Sequence, residues 1–190
     1  MDVHTWIAND LHSVRSKLSD SVLSVIPSQR WVEQADDGGS SIAHLLLHVA
    51  RHQDLALTTA IRNHPPLFAS HSAALGLADA EASAGLSERE DPAITAALPL
   101  EPLMTYVDTV FDATAKWLDS VGTMALDTVP DTSRRLADKA ALSPDDVGWL
   151  HRMWTDKPVW WLVQWPIIGH GHAHVGEAIS VRNRMGLSPF

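Results

Sequence analysis

The 190-residue sequence contains no cysteine. That absence excludes a disulfide framework, a thiolate zinc finger, an iron–sulfur site and a cysteine nucleophile. Any metal held by this chain must be bound through nitrogen and oxygen. Basic residues are also scarce: 14 Lys and Arg stand against 23 Asp and Glu, a net charge of −9. An acidic chain is not steered toward phosphate backbones, so nucleic-acid binding is not expected. There is no run of about 18 apolar residues, so no membrane span is expected. Residues Met1 to Trp6 lack the basic start and apolar stretch of a signal peptide. These absences lead to the expectation of a soluble, cytoplasmic protein. The length suits a single domain over residues 1–190, large enough to bury a core without covalent staples.

No stretch alternates with period two, and four segments carry helical periodicity, so the expected class is all-α. The first runs from about Asp2 to Ile26, with Ile7, Leu11, Val14, Leu18, Val22 and Val25 on one stripe and Pro27 as its stop. The second opens at Ser40 or Ser41 and continues to about Asn63 before Pro65-Pro66. The third covers about Glu101 to Val121, with Pro102 at its start and Gly122 as a left-handed stop. The fourth runs from about Pro158 to Met185 with Gly186 as its stop, and Pro166 inside it predicts a kink or a restart. Four long amphipathic helices read as a four-helix bundle. The stretch from Asn63 to Leu100 is long enough to cross the bundle, so the second and third helices can run parallel; a short helix is expected within it near Asp79 to Ala84. Ser143-Pro144-Asp145-Asp146 predicts a capped short helix ending near Trp154.

Six of the eleven histidines fall in two of these segments. His44, His48 and His52 are spaced four apart on the second helix, and His170, His172 and His174 lie on the fourth. Residues i and i+4 of a helix are neighbours, so two imidazoles at that spacing can converge on one metal ion. His170 and His174 meet this condition. Glu177 shares their face and can ligate, act as a base, or orient a histidine. His172 projects the other way. Periodicity does not choose among His44, His48 and His52, and it places His44 furthest from the apolar arc. Spacing alone leaves a second reading open, in which these are surface or hydrogen-bonded core histidines.

Two segments carry a resemblance. Ser41-Ile42-Ala43-His44-Leu45-Leu46-Leu47-His48-Val49-Ala50 resembles the second-helix signature of the DinB/YfiT-like metalloprotein superfamily, and His170-Gly171-His172-Ala173-His174-Val175-Gly176-Glu177-Ala178-Ile179 resembles its last-helix signature. The resemblance implies a four-helix bundle of up-down-down-up topology. It also implies a divalent-metal site built from His48, His170 and His174. Several members of that superfamily are S-transferases or isomerases that use mycothiol, bacillithiol or glutathione. The function implied is therefore a metal-dependent transferase or isomerase acting on a small molecule with a low-molecular-weight thiol. Two features depart from the family pattern. His44 and His52 flank His48 and remain alternatives to it, and Pro166 precedes His170 by one turn.

Three neutral imidazoles on Zn²⁺ leave a fourth position for water or a thiolate, and Ni²⁺ or Fe²⁺ suit the same donors. A thiol that arrives as cosubstrate suits a chain without cysteine. The alternatives are a metal-dependent hydrolase using metal-bound water, and a non-enzymatic metal-binding protein; a homodimer is expected. Gly169, Gly171 and Gly176 imply either tight helix packing or open space beside the metal. Five of the eight tryptophans (Trp149, Trp154, Trp160, Trp161 and Trp165) cluster just before the last histidines, as core or oligomer contacts or as an aromatic wall over the pocket. Asp36-Asp37-Gly38-Gly39 reads as a turn, and Arg134, Arg135 and Lys139 as a solvated basic patch.

Overall fold

The computed structural model describes residues 2–35 and 39–189, and among these residues there are helices and turns but no strand. Helix α1 (Val3–Leu18) opens on Asp2, whose carboxylate accepts the Thr5 N–H, and continues into a π turn over Ser19–Leu23. Leu11, Val14, Leu18 and Val22 form its buried stripe, as their spacing predicts. Val25 is exposed instead of sharing that stripe, because the helix has ended at Leu23 and the wider π turn shifts the register before it. Helix α2 (Ile42–Asp54) is capped by Ser41, which accepts the His44 N–H, and extends as a π segment over Leu55–Ile61. Of the turn expected before it, Asp36, Asp37 and Gly38 lie outside the described residues.

The connector after α2 holds two short helices, α3 (Phe68–His71) and α4 (Pro92–Ala97). The helix expected near Asp79 to Ala84 is a series of turns. The cause is tertiary: the carbonyls of Glu81 and Ser83 close local turns, while those between and after them accept from an α2 side chain. Arg51 donates to the carbonyls of Ala84 (3.0 Å) and Ala82 (2.5 Å).

Helix α5 (Leu100–Ser120) begins close to its expected start. Gly122 does not provide the left-handed stop: it is extended at φ −77°, after an equally extended Val121, and leads into a 3-10 turn over Thr123–Asp127. Helix α6 (Thr132–Ala140) was not foreshadowed by the sequence pattern, whereas α7 (Pro144–Trp154) has the Ser143 cap and the Pro144 start that were expected. The basic patch divides. Arg134 pairs with Asp131 and Asp138 at the surface, but Arg135 donates to the carbonyls of Ala60 (2.7 Å) and Ile61 (3.0 Å) and so closes the end of the α2 extension.

The last helical segment, expected to kink or restart at Pro166, instead widens there without leaving helical backbone. Helix α8 (Val159–Leu162) passes into a π segment over Val163–Gly169 that contains Pro166, and α9 (His170–Arg184) follows, ending before Gly186 at φ +77°. Pro166 has no N–H to donate, and the wider turn absorbs the lost hydrogen bond. Helices α1 and α2 each pack against both α5 and α9. Two of the helical glycines serve close contacts: a Cβ on Gly171 would sit 2.9 Å from Val14 Cγ1 of α1, and one on Gly169 would sit 3.0 Å from the Gln164 carbonyl and the Trp165 ring. Gly176 instead faces open space. No helix among the described residues is long and apolar enough to cross a membrane.

Helix α2 lies at the centre of the molecule. Every residue from Ile42 to Ala60 is buried, polar ones included. A buried polar group without a hydrogen-bond partner costs about 1–3 kcal/mol, so each must be accounted for. Gln53 Nε2 donates to Thr114 Oγ1 of α5 at 2.8 Å. Arg51 is held by the carbonyls already named and lies 3.7 Å over the Phe68 ring. Asp54 accepts from Tyr106, Thr58 and two backbone N–H groups. Gln53 Oε1 and Arg51 Nη1 have no hydrogen-bond partner among the described residues, and the histidines remain.

Candidate metal centre

Helix α2 brings His48, and the first turns of α9 bring His170 and His174, to one point between the two helices. The Nε2 atoms of His48 and His174 each lie 3.1 Å from His170 Nε2. All three side chains are buried. A fourth group reaches them from the connector. Glu88 Oε1 is 3.7 Å from His48 Nε2 and 3.9 Å from His170 Nε2, and its Oε2 is 3.7 Å from His174 Nε2. His48, Glu88, His170 and His174 thus form a group able to hold a metal ion.

The far nitrogens fix how two of these rings point. His48 Nδ1 lies 2.9 Å from the Gly85 carbonyl oxygen, which can only accept, so Nδ1 carries the proton and Nε2 is bare. His174 Nδ1 faces the Glu177 carboxylate at 2.8 Å, with the same consequence. Of the three roles open to Glu177, the structure shows the orienting one. His170 can give an Nε2–H to only one of its two neighbours, which leaves the bare nitrogen of the other at 3.1 Å without a donor. Protonation does not relieve this. Burial, reinforced by the neighbouring His52 and His174, pushes His48 down to about 2, and burial with the same neighbours holds His170 well below the usual histidine range. A cation does relieve it, so the residues fit a metal. With metal–nitrogen distances of about 2.0–2.1 Å, adjacent donors lie about 3.3 Å apart in a tetrahedron and about 2.9 Å apart at right angles. The observed 3.1 Å falls between, so donor type and not spacing constrains the ion.

The neighbouring histidines do not join the group. His52, one turn beyond His48, donates from Nε2 to the Leu86 carbonyl at 3.2 Å, and its ring lies 4.4 Å from that of His170. Burial first, and the Arg51 charge, lower it to about 4. His44, the residue periodicity turned furthest outward, is only 4% exposed; it stacks on His48 at 5.6 Å, and its Nε2 has no hydrogen-bond partner among the described residues. Its burial is the work of the connector, which covers the side of α2 that a helical wheel leaves free. His172 is half-buried on a different face of α9.

The tryptophans divide between the two expected roles. Trp154 is wholly buried in the core beside His52, at 6.1 Å between rings. Trp149 and Trp165 are partly exposed and stand 5.9 Å from His52 and 6.4 Å from His170, on the flanks of the cluster. Trp160 points away to solvent.

Glu88 is the residue that sequence reasoning missed. It belongs to no periodic element, and the acidic run around it has no ligand spacing. Two cavities flank its loop. Neither is lined by the three converging histidines; the larger, about 530 Å³, is lined by His44, Asp79, Arg89 and Asp91. The other, about 480 Å³, is lined by Glu88 itself together with Asp146 and Trp149. The second is the relevant one, because it contains a group of the cluster.

Gly85 is critical to this arrangement. It sits at φ +76°, and an added Cβ would lie 2.8 Å from Leu47 Cγ. Replacing Gly85 by Ala is expected to cost about 2 kcal/mol, from a backbone region that L-residues avoid and a clash with a buried leucine. Urea unfolding would measure this, and a loss under about 0.5 kcal/mol, on the order of a neutral surface change, would show that the turn adapts. Compared with protein-family models, curated proteins and solved structures, the chain matches none.

Proposed function

We propose that the chain is a DinB/YfiT-like metalloprotein that binds one divalent cation through His48, His170 and His174. In this reading it is a metal-dependent S-transferase or isomerase that works with a low-molecular-weight thiol. The observation that carries the reading is the convergence of three Nε2 atoms whose lone pairs cannot otherwise be satisfied. The bundle topology proposed with it is up-down-down-up, supported by the packing of α1 and α2 on both α5 and α9 and by the length of the connector between α2 and α5.

When bound, a cation such as Zn²⁺ holds a thiol sulfur as its thiolate near neutral pH, so the nucleophile can come from outside a chain that has no cysteine. The remaining work falls to the protein. Gly85 and Glu177 fix the tautomers of His48 and His174, so both present Nε2 inward. The buried setting keeps the rings neutral and therefore competent as ligands. Trp149 and the cavity beside Glu88 provide an apolar wall and an entrance for a small molecule.

The test is the metal content of the purified protein beside His48→Ala and His174→Ala. About one ion per chain is expected in the native protein, with affinity reduced at least about 100-fold in either variant. Equal metal in all three, or none in the native protein, would remove the site. A panel of thiols should then raise the melting temperature of the loaded protein; no shift with any thiol would leave metal binding without the transferase reading.

A further inference from the structure

We propose that Glu88 is the exchangeable ligand of this centre: its carboxylate closes the site at rest and gives way to an incoming thiolate. The inference rests on the metal-centre reading and assigns the one acidic member of the group a role distinct from that of the histidines.

Three observations support it. The first is contrast in exposure. The three histidine side chains are at most 9% exposed, whereas that of Glu88 is 75% exposed. A ligand enclosed by protein cannot swing away without unpacking its surroundings, but an exposed carboxylate can rotate into water at little cost. The second is how its loop is held. On one side, Arg51, His48 and His52 of α2 donate in turn to the carbonyls of Ala82, Ala84, Gly85 and Leu86. On the other, Glu90 accepts from the Ser41 N–H (2.6 Å) and hydroxyl (3.0 Å) at the start of α2. The loop is therefore tied on both sides of Glu88 to the helix that carries His48, through backbone carbonyls before it and the Glu90 carboxylate after it, and the Glu88 side chain is the part left free to move. The third is space. Glu88 borders the cavity of about 480 Å³ beside Trp149, so a displaced carboxylate and an arriving ligand both have room.

The exchange balances. The Glu88 oxygen leaves the cation as sulfur joins it, one anion replacing another. The thiol proton passes to solvent, and no oxidant or reductant is needed.

Co²⁺ as the probe metal and 2-mercaptoethanol as the probe thiol test this without any assay of activity. The apo protein, Glu88→Ala and Glu88→Gln are each loaded with Co²⁺. Visible absorption, the rate of Co²⁺ release to a chelator, and the near-ultraviolet sulfur-to-cobalt band during thiol titration are then measured. Both variants should still bind one Co²⁺ because the three histidines are intact. Their visible band should differ from that of the native protein, release should be about 10–100-fold faster, and the thiol should bind at least about 10-fold more tightly. Circular dichroism should match native, since the side chain is exposed. An unchanged band together with unchanged thiol affinity would overturn the proposal while leaving the metal centre in place. Failure of the native protein to take up Co²⁺ would overturn the metal centre itself.

Discussion

Chelator-treated protein should lose up to about 4 kcal/mol of stability for each pH unit below about 6.5. The cause is the buried imidazoles. In the unfolded chain His48, His52 and His170 take up protons near pH 6.5. In the folded chain His48 is lowered to about 2 and His52 to about 4, and His170 is also held far below its ordinary range, in each case chiefly by burial. The sign comes from proton counting. Above about pH 6.5 neither state binds these protons, and the full stability is present. Below it the unfolded state binds more, so stability falls with pH until the folded values are reached. Each histidine contributes about 1.4 kcal/mol per unit, and three together give the slope stated. Glu90, Glu177 and Glu88 oppose burial at the neighbouring His44 but do not outweigh it, so His44 is lowered as well and does not offset the loss. For a domain at the low end of ordinary stability, about 5 kcal/mol, unfolding near pH 5 is expected. Urea titrations at pH 7.5, 6.5 and 5.5 would measure it, and equal midpoints at 7.5 and 5.5 would refute it. Saturating metal should shift the loss to lower pH, because the bound ion competes with the protons.

Replacing Asp54 by Ala should cost about 3–5 kcal/mol, more than any other single change proposed for this chain. The carboxylate is wholly buried and accepts four hydrogen bonds: from the Tyr106 hydroxyl at 2.9 Å, Thr58 Oγ1 at 2.8 Å, and the N–H groups of Leu67 (2.9 Å) and Phe68 (2.8 Å). Burial and the Asp54 charge hold the Tyr106 hydroxyl well above its usual range, so it stays a donor. Truncation strands donors from α5 and the connector in the core. Asp54→Asn should cost less, about 2 kcal/mol, because only the acceptor for Tyr106 and Phe68 is replaced. A double-mutant cycle with Tyr106→Phe isolates the shared bond. A loss below about 1 kcal/mol in the Ala variant, the scale of a single ordinary hydrogen bond, would mean that the donors find water. The effect extends to the metal centre, since Asp54 pins the beginning of the connector whose later part carries Gly85 and Glu88.

The helices were largely legible in the sequence because each signal is local. Ser41 and Ser143 cap where a hydroxyl precedes a helical run, Pro166 interrupts where an N–H is missing, and the stripe of α1 comes from four residues one turn apart. The pairing of His170 with His174 is local in the same way. The ligand role of His48 was implied only by resemblance, since periodicity treated it and its two neighbours alike.

What the sequence could not carry is what happens between elements. A helical wheel gives α2 one apolar face and leaves His44 and His48 outside it, yet the connector folds over that side and buries them. The same event explains the missing helix near Asp79 to Ala84, where the carbonyls of Ala82 and Ala84 turn to Arg51, and the arrival of Glu88, which has no periodic partner to betray it. The absence of cysteine and the wealth of histidine determined, from sequence alone, that any metal would be held by nitrogen and oxygen in a helical protein. Which nitrogens converge, and which oxygen closes over them, depended on tertiary structure, because a hydrogen bond from α2 to a distant residue of the connector leaves no spacing to read.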